Sequence, residues 1–182
     1  MSKLLNFILF QALWALTIYG VTIGNNWLAP AGLIAVLSIH YNFSATFKAD
    51  LLLTFLAVLL GLTFETALVQ LHILDYAQPL PFKQIAPLWT LILWANFALT
   101  MNGCLQWLQG KYFIAAILGA LGAPLSYFAG IELNAATTEV ALVMMLTVVA
   151  AIYAVITPTL LLLAKWCTQL IEPGKAQTSV NV

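Results

Sequence analysis

Charge is confined to the edges of this chain. Its 182 residues include six basic and six acidic side chains, and all but one of these lie at or beyond the ends of six long apolar stretches. The exception is Glu65, well inside the third stretch. A soluble domain needs polar residues to meet water and is roughly 25% charged. Here the charged fraction is 7%, the hydrophobic fraction 63% and the mean hydropathy +1.01. Lipid is the solvent that tolerates such a composition. The sequence therefore predicts an all-α protein, a polytopic transmembrane bundle of about six spans. It forms a single domain over residues 1–171, followed by a polar cytoplasmic tail at 172–182.

A helical span needs about 20 mostly apolar residues. Runs of this kind are expected at 4–23, 27–41, 51–73, 85–108, 113–131 and 140–166, the second being short. Turn chemistry separates them: Gly24-Asn25-Asn26, Asn42-Phe43-Ser44, Pro79-Leu80-Pro81, Gln109-Gly110-Lys111 and Glu132-Leu133-Asn134. The first run is longer than the core of a usual signal peptide and lacks an A-x-A-like exit, so it reads as a retained helix. With the N-terminus inside, Lys3, Lys48, Lys111, Lys165 and Lys175 are cytoplasmic and Lys83 alone is outside. That is a positive-inside pattern with both termini cytoplasmic, in a bacterial inner membrane. Trp27, Tyr76 and Trp89 then fall at outer helix ends, and Tyr41, Trp107, Tyr112 and Trp166 at inner ends. These rings suit the headgroup level as anchors.

Several functions lose support at once. There is no Arg, the net charge is zero and no basic run exists, so no nucleic-acid partner is implied and a grip on anionic cargo is weak. Cys104 and Cys167 fall on the cytoplasmic side, where no disulfide is expected. No His, Cys, Asp and Glu spacing resembles a metal site, and His40 and His72 belong to opposite faces. No G-x-S-x-G, P-loop or dinucleotide fingerprint is present. The sequence thus assigns no catalytic residue, metal or cofactor.

Glu65 is the first candidate for chemistry, because an ionisable residue near a helix centre is costly in lipid. Thr54, Gly61 and His72 share its face. The functional reading is a carboxyl that carries a proton or holds a polar ligand; the structural one is a hydrogen bond that glues helices together. The fourth helix offers partners in Asn96, Thr100, Asn102 and Gln106. Buried amides must face protein or water, so Gln11, Glu65, Asn96, Thr100 and Asn102 are expected to form a polar site inside the bundle. On the fifth helix Gly119, Gly122, Ser126 and Gly130 make a face for close helix packing. Pro124 and Pro158 each remove a backbone donor and can kink their helices. Trp14 and Trp94 lie nearer mid-span than the anchoring tryptophans.

The run Ala86-Pro87-Leu88-Trp89, Leu93-Trp94, Phe97-Ala98, Thr100, Asn102, Leu105, Trp107 and Leu108 carries a resemblance. So does Gly119-Ala120-Leu121-Gly122-Ala123-Pro124-Leu125-Ser126-Tyr127 with Gly130, together with Asn6, Gln11 and an acidic residue at 65. Over nearly the whole chain it resembles the bacterial inner-membrane family catalogued as domain of unknown function 2878. The family pattern has Asp where Glu65 stands and His where Gly103 stands. A chemical role for that His would therefore not carry over. The resemblance implies a small proteobacterial membrane protein of unknown activity, in a setting of lipid or envelope biology.

Two functional readings follow. One is a protein that handles or transports a small molecule or lipid through Glu65, for which six helices would require a homodimer. The alternative is an accessory or scaffold protein that holds a lipid-modifying membrane enzyme through the 119–130 face.

Overall fold

The computed structural model describes residues 1–173; Lys175 and nearly all of the expected 172–182 tail lie outside them. Six helices follow one another: α1 (Lys3–Thr22), α2 (Leu28–Phe43), α3 (Phe47–Gln70), α4 (Leu88–Ala98), α5 (Tyr112–Glu132) and α6 (Leu142–Ile171). Two-residue strands β1 (Asp75–Tyr76) and β2 (Ala136–Thr137) lie in the connections after α3 and α5. Helices α1, α3, α5 and α6 are long and apolar enough to cross a membrane, while α2 has 16 residues and α4 only 11.

Local chemistry explains where helices begin and end. The Ser2 hydroxyl caps α1 by accepting the Leu5 amide at 3.2 Å. Pro30 sits in the first turn of α2, where its missing N–H removes no helical bond. Helices α1, α3 and α5 stop alike. One residue takes left-handed backbone (Gly24, φ 73°; His72, φ 56°; Asn134, φ 60°), and two amides fold back onto the last turn. In α3 these are His72 N on the Val69 carbonyl at 3.0 Å and Ile73 N on the Leu68 carbonyl at 2.9 Å. So α3 ends three residues earlier than expected. His72 leaves the Glu65 face, and its exposed ring lies 3.8 Å from the Glu139 carboxyl.

Helices α1 and α2 form one hairpin and α5 and α6 another, with α3 lying between α4 and α6. Helix α4 packs on α1, α2 and α3 and buries Trp89, Thr90, Ile92, Trp94, Ala95, Asn96 and Ala98. A helix apolar on all sides belongs in an interior. Two glycines permit close approaches between long helices and their neighbours. A Cβ at Gly61 would collide with the Trp94 indole, and one at Gly119 with the Thr157 side chain and the Tyr153 carbonyl. Gly122 and Gly130 meet nothing there, so the expected packing face divides. Pro124 and Pro158 lie within α5 and α6, and neither interrupts its helix.

At one end of the bundle the long connections are tied together. Strands β1 and β2 pair antiparallel, with Tyr76 opposite Ala136, and the Thr138 hydroxyl donates to the Ile73 carbonyl at 2.8 Å. This folds Leu74 and Tyr76 inward. The end carrying the chain's first residue is closed by a different contact, the Met1 amine on the Phe43 carbonyl at 2.5 Å.

Candidate functional site

Residues 85–108 were expected to form one helix, yet the backbone leaves the α-helix after Ala98. A series of tighter turns follows, with amides 100, 101, 103 and 106 each bonding three residues back, and it ends in a short 3-10 turn at Gln106–Leu108. Irregular backbone at membrane depth survives only where protein or water satisfies it. Asn6, buried on α1, supplies the partners: its Nδ2 donates to the Leu99 carbonyl at 3.1 Å and its Oδ1 accepts the Cys104 amide at 2.8 Å.

Beside this interrupted helix stands the Glu65 carboxyl, 3% exposed. Its Oε1 accepts the Trp94 indole N–H at 2.8 Å and the Tyr127 hydroxyl at 2.5 Å, and its Oε2 accepts the Tyr76 hydroxyl. The three donors come from α4, α5 and β1. Tyr153 extends the array, its hydroxyl 3.5 Å from that of Tyr127. Phe64 and Tyr153 stack edge-on around it, at 5.9 Å between ring centres. The Tyr76 phenol, outside the helices, is pushed well above the usual phenol range by burial and by the facing Glu65 charge. Chemically the donors differ. A phenol hydroxyl both donates and accepts, whereas an indole only donates.

The expected polar site therefore does not assemble as one pocket. Glu65 takes aromatic partners instead of amides. Asn96 donates to the Phe10 carbonyl at 2.9 Å, and the Thr100 hydroxyl turns back to Phe97 at 2.6 Å. Gln11 is exposed. Asn102 joins a second cluster that the sequence reading did not anticipate. Asp50, 1% exposed at the start of α3, accepts His40 Nε2 at 2.8 Å, the Ser44 hydroxyl at 2.8 Å and the Thr46 hydroxyl at 3.0 Å on Oδ2. Its Oδ1 accepts the Asn102 amide at 2.8 Å. Asn102 in turn reaches Thr168 at 3.2 Å and accepts from Gln109 at 2.8 Å.

The aromatic assignments divide too. Trp27 and Tyr41 stay exposed as anchors would. Tyr76 and Trp89 do not: the first binds Glu65, and the second donates to the Ala77 carbonyl at 2.9 Å. Trp14 donates to Ser126 at 2.9 Å, joining α1 to α5.

Long apolar helices, an outer surface studded with Leu4, Phe113, Leu125 and Val143, and hydrogen-bonded polar groups held inside define a multi-pass helical membrane protein. The chain belongs to the family described as Protein of unknown function (DUF2878), whose model matches residues 3–159. Among curated proteins and solved structures, nothing matches it.

Proposed function

We propose that this protein handles or transports a small molecule or lipid in the bacterial inner membrane, with Glu65 as its intramembrane proton- or ligand-binding group. The observation that carries this reading is the convergence of three donors from α4, α5 and β1 on one buried carboxyl, two of them phenols that both donate and accept. An ionisable group at such a position marks a functional site by default.

Six crossings with both termini cytoplasmic complete the proposal. Helix α4 is about 16 Å long against a hydrocarbon core of about 30 Å, so it crosses only together with the turns that follow it. Lys3, Lys48 and Lys111 stand at the starts of α1, α3 and α5, and Lys165 in the last turns of α6. Lys83 alone lies in the connection before α4. This distribution supports an inward-facing first residue.

The alternative is an accessory protein that docks a lipid-modifying enzyme through the 119–130 face. It has less room, because Gly119 is occupied by α6 and Ser126 by Trp14. Infrared difference spectroscopy in lipid nanodiscs tests the carrier reading. A carboxyl band that responds to pH in the wild type and vanishes in Glu65→Gln is the expected result. A Glu65 band that never responds would assign the array to structural packing.

A further inference from the structure

Polar side chains on the outer surface of the long helices meet lipid, which offers them no hydrogen bond. Exposed hydroxyls there avoid the cost by turning back onto their own helices. Thr63 of α3 donates to the Leu60 carbonyl at 2.8 Å, and Thr147 of α6 to the Val143 carbonyl at 2.7 Å. Gln11 of α1 has no such arrangement. Its side chain is exposed, and among the described residues no hydrogen bond reaches its carboxamide.

Depth makes the bare amide costly. At 1.5 Å per residue Gln11 lies about 12 Å along α1 from Lys3, well inside a hydrocarbon core of about 30 Å. A carboxamide carries two N–H donors and a carbonyl acceptor, and an apolar medium satisfies none of them. The face around it is open as well. Leu4, Ile8, Gln11, Ala15 and Tyr19 follow at intervals of three and four residues and are all exposed, so they form one stripe. The opposite side of α1, with Asn6, Leu13 and Thr17, is buried in the bundle.

We propose that this stripe joins two copies of the chain, α1 against α1, with the two Gln11 carboxamides hydrogen-bonded to each other. A second copy is the occupant because the face is its own complement. A two-fold axis along the membrane normal sets the two α1 helices side by side and brings each residue opposite itself at the same depth. A carboxamide both donates and accepts, so each Gln11 carbonyl takes an N–H from the other. A lipid chain in the same place would leave both groups bare. Ala15, one turn from Gln11, is short enough to let the helices approach where the amides must meet, and the alternating three- and four-residue spacing of the stripe suits left-handed helix pairing. The inference does not depend on any role for Glu65.

Subunit counting by single-molecule photobleaching tests it, using the labelled full chain in lipid vesicles over a range of protein-to-lipid ratios. The wild type should bleach in two steps at the higher ratios. Gln11→Leu should weaken the dimer roughly tenfold, the worth of two interhelical hydrogen bonds, while Gln11→Asn keeps most of it. A second readout is oxidative crosslinking in native membranes, in a chain with Cys104 and Cys167 replaced by Ala. Ala15→Cys on the stripe should form a disulfide-linked dimer, and Val155→Cys, exposed on α6, should not. A wild type that stays monomeric at every ratio overturns the proposal. So does a dimer indifferent to Gln11→Leu, or one that crosslinks through Val155→Cys and not through Ala15→Cys.

Discussion

Asn6 and Gly103 are in such close contact that no side chain fits at position 103: a Cβ there would overlap the Asn6 amide. That amide holds the Leu99 carbonyl and the Cys104 amide where α4 gives way to turns. The residue that satisfies the broken backbone and the residue that makes room for it are thus a matched pair.

Removing either member should cost stability. Asn6→Ala leaves two buried backbone groups unpartnered, which is worth about 1–3 kcal/mol for each group. Gly103→Ala forces the Asn6 amide aside, and the bulkier Gly103→His should be worse. The double variant Asn6→Ala/Gly103→Ala should lose less than the sum of the singles, since the two share one contact. Thermal unfolding in detergent or nanodiscs measures all four.

Glycines with different surroundings should respond differently to the same methyl group. Gly61→Ala and Gly119→Ala meet Trp94 and Thr157 and should destabilise by about 1–3 kcal/mol. Gly122→Ala meets nothing and should be neutral or gain up to about 1 kcal/mol from helix propensity. A loss at Gly122 as large as at Gly119 would show that the open stripe is covered by another molecule.

Tyr76→Phe removes the hydroxyl donor to Glu65 Oε2 and should cost about 1–3 kcal/mol by leaving that oxygen unpartnered. The wild-type phenol carries a pH signature as well. Its folded value is raised above the ordinary value near 10. Its contribution is therefore constant below about pH 10 and is lost as the pH rises through the folded value, because the unfolded chain releases the proton first. Alkaline melting curves should fall less steeply in Tyr76→Phe than in the wild type.

The orientation is open to cysteine labelling. In a variant with Cys104 and Cys167 replaced by Ala, Lys83→Cys should react with a membrane-impermeant maleimide in intact spheroplasts, and Lys111→Cys only after lysis. The reverse pattern would invert the proposed topology.

Element boundaries were legible where local chemistry sets them. Gly24 and Asn134 mark helix ends in the sequence and take left-handed backbone in the fold. His72 does the same without being a usual marker, so the end of α3 could not be placed from its residues. The interruption after Ala98 was hidden for another reason: an apolar run of helical length carries no sign that an amide from α1 will stand in for helical bonds.

Asp50 shows the same division. By sequence it is a charge at the edge of an apolar run, read as a marker of the span boundary. The nearest signals were Ser44 and Thr46 upstream and His40 one turn before them, all residues common at helix ends.

What the sequence alone determined is the solvent and the class: charges at the margins, six apolar runs and one interior carboxyl require a helical membrane protein, because lipid leaves backbone polar groups no other partners. Which carboxyl meets which donor was decided only by the tertiary structure. Tyr127 is 62 residues from Glu65 and Asn102 is 52 from Asp50. Helix periodicity places a side chain on a face, but only the packing of that face against another helix chooses its partner.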